Sequence, residues 1–302
     1  MKKNKFRGLF FTSLFIIIIL ISIFYSLSLN RHQQWRPISI NNCIPKDEFL
    51  ISSNHKPLWS YKTGDEVRGV AISADGQYIA AGSHDNKIYL FKKNRPIPFW
   101  SKLIIGDIWS IAISADGQYV VAGSYYNHNI YLFNRTTYTP LINYSTGDLV
   151  HSVTISADGQ YLAAASYDNN TYLFNNTSKT PMWIHPTGHR SMSVEISADG
   201  QYLASGSRDK NVYFFDRTNS TPKWNFTTGG LVRSVAISAD GQYIAAGSYD
   251  DRVYLFNRTD GYMWNYTTND NIYSVAISVD GNYIVAGGSD DKIYFFIIFL
   301  GI

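Results

Sequence analysis

The stretch Ile72–Phe91, ISADGQYIAAGSHDNKIYLF, decides the fold. Its first seven residues recur verbatim at Ile113–Tyr119, Ile155–Tyr161, Ile196–Tyr202 and Ile237–Tyr243, and a sixth copy reads ISVDGNY at Ile277–Tyr283. The aspartates of these copies, Asp75, Asp116, Asp158, Asp199, Asp240 and Asp280, stand 41, 42, 41, 41 and 40 residues apart. A fixed period of this length marks a repeat architecture. Each period carries four β signals. Val67, Val70 and Ile72 open the first, an Ala-Asp-Gly turn leads to Tyr78–Ser83, His84-Asp85-Asn86 turns into Ile88–Phe91, and a strand starting at Trp100 ends it. Short strands joined by Asp-Gly and Asp-Asn turns predict an antiparallel meander.

A single four-stranded sheet leaves both faces wet. Stacking such sheets radially buries both faces and shields the edges, so the repeats predict an all-β, six-bladed β-propeller over residues 57–302. Small residues at Ala71, Ala112, Ala236 and Ala276 suit a crowded innermost strand. The break in alternation between Val67 and Val70 predicts a β-bulge at that strand's start. Blades one to five are complete between Val67 and Thr268, whereas the sixth has three strands from Asn271 to Phe296. Trp59–Thr63 is a spare outer strand, expected to pair with the sixth blade and close the ring, with the tail Ile297–Ile302 as the alternative partner.

The repeats resemble WD40-type repeats, as in Val232–Asp250, VRSVAISADGQYIAAGSYD, and the resemblance covers about residues 57 to 297. The chain departs from that family at two places. The terminal Trp-Asp is replaced by Phe91-Lys92, Phe133-Asn134, Phe174-Asn175, Phe215-Asp216, Phe256-Asn257 and Phe296-Ile297, and the Gly-His pair survives only as Gly188-His189. The resemblance therefore implies a buried His–Asp hydrogen bond in that one repeat and not in the other five. Trp59-Ser60-Tyr61-Lys62-Thr63-Gly64 is also similar to quinoprotein (PQQ-like) propeller repeats.

Charge and hydropathy set the address. Of the 302 residues, 45% are apolar and 16% charged, too apolar a balance for a disordered chain. Lys2, Lys3, Lys5 and Arg7 supply four of the 26 basic residues, and no acid precedes position 31, so the remainder carries 22 basic against 23 acidic residues. A body with a net charge of −1 does not offer the clustered cations that neutralise a nucleic-acid backbone. Residues 8–29 carry no charge. As a helix rising ~1.5 Å per residue they cross a hydrocarbon layer ~30 Å thick. The basic tail, residues 1–7, is expected in the cytoplasm, which places the propeller outside the membrane. An uncleaved single-pass signal anchor is expected. The rival is a cleaved signal peptide with a weak small-x-small site at Ser26 and Ser28, although the apolar run exceeds the usual core of such a peptide. Residues 30–56 read as a polar connector, and its lone cysteine, Cys43, excludes an internal disulfide framework and a Cys-rich zinc module.

Chemistry is sparse. The six Ala/Val-Asp-Gly aspartates sit in tight turns, where Asp caps and Gly supplies positive φ, and sixfold repetition marks scaffold rather than a single site. Asp85, Asp168, Asp209, Asp250 and Asp290 in the second turns read the same way. His185 and His189 are four apart, but Pro186-Thr187-Gly188 prevents the helix that would aim both at one metal. No nucleophile elbow, zinc-protease, dinucleotide or P-loop motif is present. No catalytic residue, metal or cofactor is expected.

Where a scaffold nearly copies itself, positions that differ are those the fold does not dictate. Seven residues before each turn aspartate stand Arg68, Trp109, His151, Met192, Arg233 and Tyr273. Just before the second-turn aspartates stand His84, Tyr167, Arg208, Tyr249 and Ser289, and the longer second repeat has Tyr125 and Tyr126 there. A meander places both sets at one end of the blades, so they should ring one face, which the WD40 resemblance implies is the usual partner face. Arg, Tyr and Trp are the types that carry binding energy at interfaces. Candidate glycosylation sequons begin at Asn134, Asn143, Asn169, Asn175, Asn176, Asn219, Asn225, Asn257 and Asn265, and all but Asn169 fall after the Phe strand or on the outer strand, away from that face. The expected function is that of a monomeric, membrane-anchored, non-catalytic module binding a protein or glycan at the cell envelope. A quinone-dependent or sugar-acting propeller enzyme and a structural envelope-assembly protein are the alternatives.

Overall fold

In the computed structural model the described residues are 56–298 apart from Tyr138. The expected anchor, Cys43, the connector up to residue 55 and the last four residues lie outside them. Among the described residues no helix is long and apolar enough to cross a membrane.

Six antiparallel sheets follow one another along the chain, each a simple meander. The first holds β1 (Val67–Ile72), β2 (Tyr78–Ser83), β3 (Lys87–Lys92) and β4 (Trp100–Leu103). The second holds β5 (Ile108–Ile113), β6 (Tyr119–Ser124), β7 (Asn129–Asn134) and β8 (Ile142–Ser145). The third holds β9 (Val150–Ile155), β10 (Tyr161–Ser166), β11 (Asn170–Asn175) and β12 (Trp183–Pro186). The fourth holds β13 (Ser191–Ile196), β14 (Tyr202–Ser207), β15 (Asn211–Asp216) and β16 (Trp224–Thr227). The fifth holds β17 (Val232–Ile237), β18 (Tyr243–Ser248), β19 (Arg252–Asn257) and β20 (Gly261–Thr267). The sixth has three strands, β21 (Ile272–Ile277), β22 (Tyr283–Gly288) and β23 (Ile293–Ile297).

The turns behave as their residues dictate. In the first turn of every repeat a serine hydroxyl donates to the aspartate, as Ser73 does to Asp75 Oδ1 at 2.6 Å, and that oxygen also accepts from the backbone two residues on. The following glycine has positive φ in all six, from 66° at Gly76 to 72° at Gly281. These aspartates are turn caps, and the Oδ1 of each is spent on its own turn.

Neighbouring sheets interlock by close approach. A Cβ added at Gly82 would fall 2.2 Å from Ile108 Cγ2, and one at Gly247 would fall 2.4 Å from Ile272 Cγ2. Only glycine lets the branched side chain of the next inner strand sit so near. At the opposite end, Tyr78, Tyr119, Tyr161, Tyr202 and Tyr243 each lie against the first-turn glycine of the following sheet. Backbone bonds join the same turns, from Ala74 N to Ala115 O and onward to Ala239 N and Val279 O.

The ring does not close as the sequence predicts. Inner strands pack in the order β1, β5, β9, β13, β17, β21, and β21 does not return to β1 in the same way. Trp59–Thr63 is not a strand of the sixth sheet. It lies instead on the first sheet, where Trp59 Nε1 donates to Lys93 O at 2.7 Å and Gly64 N to Asp85 Oδ2 at 2.8 Å. The physical reason is the interlocking itself. Five close-packed interfaces, four of them keyed by a glycine, fix the turn per sheet, and that turn does not bring the sixth sheet round to the first.

Candidate functional site

Every inner strand carries the expected bulge, and its extra residue is the variable one. Val67 pairs with Ser83 and Gly69 with Gly82, so Arg68 is left over. By the same break Trp109, His151, Met192, Arg233 and Tyr273 fall at the bulges of β5, β9, β13, β17 and β21. A bulged residue leaves the ladder and is re-aimed. Here all six stand at the same end of their inner strands. The second-turn residues are tied to the same end, because His84 N donates to Glu66 O, Tyr125 N to Asp107 O, Tyr167 N to Leu149 O, Arg208 N to Arg190 O, Tyr249 N to Leu231 O and Ser289 N to Asn271 O. Both sets therefore share one face.

The structure joins many of them into a continuous belt. Arg68 Nε meets His84 Nε2 at 3.2 Å, and the guanidinium lies 5.3 Å from the Trp109 ring while also pairing with Glu66 at 2.7 Å. Trp109 packs on His84, Tyr125 and His151 with centroid distances of 6.2, 5.2 and 6.0 Å. His151 stacks on Tyr167 at 5.2 Å, over which Arg190 lies at 4.7 Å. Tyr249 and Tyr273 meet edge-on at 5.5 Å. Tyr126, 69% exposed, meets Tyr125 edge-on at 4.9 Å and carries the belt outward, and Arg208 is exposed on the same face. Arg233 is half-buried.

Two of the expected face residues are not available to a partner. His151 and Met192 are buried, and His151 Nδ1 bonds Met192 O at 2.6 Å. They pack against each other inside the body instead of lining an open surface. Burial, with the Arg233 charge adding to it, holds the His151 imidazolium down to about 3.

One further residue escaped the sequence reading. Glu195 stands where the other repeats have Ala71, Ala112, Thr154, Ala236 and Ala276, and extending the repeat comparison by one column finds it. It borders a cavity of about 360 Å³ with Ser152, Ser193 and Ser234. Thr154 Oγ1 donates to its Oε1 at 3.3 Å, while burial pushes the carboxyl up to about 7.

His151 and Glu195 give opposite pH slopes. The folded His151 titrates below its ordinary 6.5, so its contribution to stability is complete above pH 6.5 and is lost as pH falls toward 3. Glu195 titrates above its ordinary 4.5, so its contribution is complete below pH 4.5 and is lost as pH rises through 7. Glu195→Gln is therefore expected to raise the urea midpoint at pH 8 and leave it unchanged at pH 4. An equal midpoint at pH 8 would show the carboxyl to be solvated.

The sequons divide by structure. Asn143, Asn219, Asn225 and Asn265 are exposed, whereas Asn134, Asn175 and Asn257 are half-buried. In the latter group the sequon threonine closes a turn on the asparagine, as Thr136 N and Oγ1 donate to Asn134 Oδ1 at 2.9 and 2.8 Å and Thr177 does to Asn175. Asp216 takes the same bonds from Thr218 without forming a sequon, so turn chemistry alone accounts for the pattern there.

The buried His–Asp bond implied by the resemblance is absent from its one expected repeat. Gly188 N, not His189, meets Asp209 Oδ2 at 2.6 Å, and His189 Nδ1 accepts from Arg190 N. His185 lies edge-on to Tyr213 and Phe215, and burial holds its imidazolium below the usual range. Among the described residues no group of three or more His, Cys, Asp or Glu is placed to hold a metal.

The WD domain, G-beta repeat family matches residues 55–92, 103–134, 138–175, 182–216, 220–257 and 263–296. The chain belongs to this family, and its repeats indicate a propeller scaffold for protein interaction. No curated protein matches it.

Proposed function

We propose that the protein is a non-catalytic scaffold that captures a protein partner on the bulge-bearing face of its propeller, held at the outer side of a membrane by residues 8–29. The observation that carries this reading is the coincidence of two independent patterns. The positions at which the repeats diverge are the positions the fold ejects from its ladders, and they stand at one end of the sheets with the second-turn residues. The repeated polar groups are consumed by turns, whereas Arg68, Trp109, Arg233 and Tyr249 supply the residue types on which interfaces depend. Exposed Tyr126 and Arg208 extend the surface. A glycan is the other ligand this aromatic face would suit.

Full-length protein extracted in detergent should retain its partner from its own envelope extract. The R68A/W109A/R233A/Y249A variant should bind at least ~100-fold more weakly while keeping its β-sheet circular dichroism, a loss expected when several anchors are removed together. Undiminished capture by the folded variant refutes the face. Partner signal removed by glycosidase treatment of the extract identifies the bound class as glycan.

A further inference from the structure

The bulge-bearing face is divided by charge. The position after the loop glycine or asparagine that leads into each inner strand holds an acid in four repeats, as Asp65, Asp107, Asp148 and Asp270. The fourth repeat has His189 there and the fifth has Gly230. Asp65, Asp148 and Asp270 cap their own loops, each Oδ1 accepting from the next backbone nitrogen, Glu66 N, Leu149 N and Asn271 N, at 2.8, 2.7 and 2.7 Å. His189 Nδ1 takes the same bond from Arg190 N at 2.7 Å, so the cap is kept without a carboxylate. At Gly230 no side chain fits, since an added Cβ would fall 2.6 Å from Asp250 N.

Arginines gather in the same two repeats. Arg190 follows His189, Arg208 precedes the second-turn aspartate of the fourth sheet, and Arg233 is the bulge residue of β17. Burial raises the Tyr167 hydroxyl against the charges of Arg233, Arg208 and Arg190, all of which act to lower it. Burial likewise raises the Tyr249 hydroxyl against Arg233 and Arg208, so the three charges share one neighbourhood. The Arg190 guanidinium lies 4.7 Å from the Tyr167 ring, and Arg233 sits beside the Tyr249 hydroxyl. Arg68, in the first repeat, has its charge met by Glu66 at 2.7 Å. Among the described residues the ion pairs use Glu66, Asp107, Asp148 and Asp290, and none involves Arg190, Arg208 or Arg233. Asp209 and Asp250, at the same end, spend Oδ2 on Gly188 N and Tyr213 and on Gly229 N and Tyr254. Arg190 and Arg233 are half-buried. A partly desolvated cation without a counter-ion carries a cost that an incoming carboxylate relieves.

We propose that Arg190, Arg208 and Arg233 form an anion site that takes adjacent Asp or Glu side chains of an acidic peptide segment. The site rests on the partner face proposed above and specifies the chemistry of what that face binds. A guanidinium presents a planar fork of donors that matches a carboxylate. Tyrosines beside Arg190 and Arg233 limit their freedom before binding, which lowers the ordering cost of capture. The acids of the other repeats, Asp65, Asp107, Asp148 and Asp270, repel the same segment, so the charge division also fixes where on the face it lies. A peptide is favoured over a sugar chain because repeats of this family indicate a scaffold for protein interaction.

Fluorescence anisotropy on the full-length protein in non-ionic detergent tests the site, with fluorescein-labelled hexaglutamate as the probe and hexaglutamine as its neutral counterpart. Hexaglutamate should bind and hexaglutamine should not, and binding should weaken between ~50 and ~300 mM salt as the charges are screened. R190Q/R208Q should weaken hexaglutamate binding at least ~10-fold while keeping its β-sheet circular dichroism. K179Q/K223Q removes the same charge from exposed loops at the other end of the sheets and should stay within ~2-fold of wild type. Absence of hexaglutamate binding, or equal loss in both variants, overturns the site. Polygalacturonate bound through the same arginines in place of hexaglutamate makes the ligand an acidic glycan and overturns the peptide assignment. Capture of the envelope partner separates the site from the face. If R68A/W109A/R233A/Y249A loses that partner and R190Q/R208Q keeps it in full, the face stands and the acidic site falls.

Discussion

Replacing Ser191 by valine is expected to destabilise the protein by ~2–4 kcal/mol, the sum of overpacking and a broken buried hydrogen bond. At four of the five sheet interfaces a glycine of the second strand faces a branched residue, Gly82 with Ile108, Gly123 with Val150, Gly206 with Val232 and Gly247 with Ile272. The interface between the third and fourth sheets is built otherwise. Its glycine position holds Ala165, and the branched position holds Ser191. Thr171, Ser191 and Ser205, all fully buried, bond one another at 2.8–3.1 Å where the first interface has Ile88, Ile108 and Ala122. An apolar contact has been exchanged for a closed hydroxyl triad, and Ala165 carries a methyl at the position where the other four interfaces have glycine. Valine at 191 meets that methyl and deprives the Thr171 hydroxyl of a partner. Adding A165G should recover at least ~1 kcal/mol, a coupling typical of residues in contact. The quadruple variant A165G/T171V/S191V/S205A rebuilds the majority interface and should come within ~1 kcal/mol of wild type. Urea midpoints at constant slope measure all three. Additive effects of A165G and S191V would mean that the two positions do not share the same space.

How far the sequence reveals this molecule depends on whether a feature is repeated. The strands, turns and bulges were legible because six copies average out the noise of any one, and the Val67-to-Val70 irregularity alone located the bulge. The side on which the variable residues lie was legible for the same reason, since a meander returns to the same end every second strand. Ring closure was not legible. It depends on the turn per sheet, which arises from the depth to which Ile108 or Ile272 sinks against a glycine, and a one-dimensional pattern carries no angle. The burial of His151 and Met192 was also hidden, because two neighbouring bulges shield each other and the sequence reads each repeat alone. Glu195 is a different failure. It is legible as a lone acid in a column of small residues, away from the variable columns that flank the turns.

Asp209→Ala is expected to cost ~3 kcal/mol, whereas His189→Ala should stay within ~0.5 kcal/mol of wild type, as surface substitutions do. Asp209 Oδ2 accepts from Gly188 N at 2.6 Å and from the Tyr213 hydroxyl at 2.6 Å, and Oδ1 accepts from Asn211 N at 2.9 Å. The same oxygen joins Gly64 and Tyr89 at Asp85, Gly147 and Tyr172 at Asp168, and Gly229 and Tyr254 at Asp250. Each aspartate thus clamps the outer strand of one sheet to the third strand of the next. A tyrosine four residues on does the work that a Gly-His histidine would otherwise do. Truncation removes three bonds to a charged acceptor and leaves the buried Tyr213 hydroxyl without an acceptor for its proton, its remaining partner being Asn211 Nδ2, which donates to it at 3.3 Å. Burial and the Asp209 bond push the Tyr213 hydroxyl up to about 12. In D209A that phenol should titrate closer to 10, readable by ultraviolet absorbance and separable from the loss of stability. Tyr213→Phe should cost only ~1 kcal/mol, because it removes donor and desolvation together. If H189A proved as damaging as D209A, the clamp would run through the imidazole after all, and the tyrosine would be a bystander packed against Phe215.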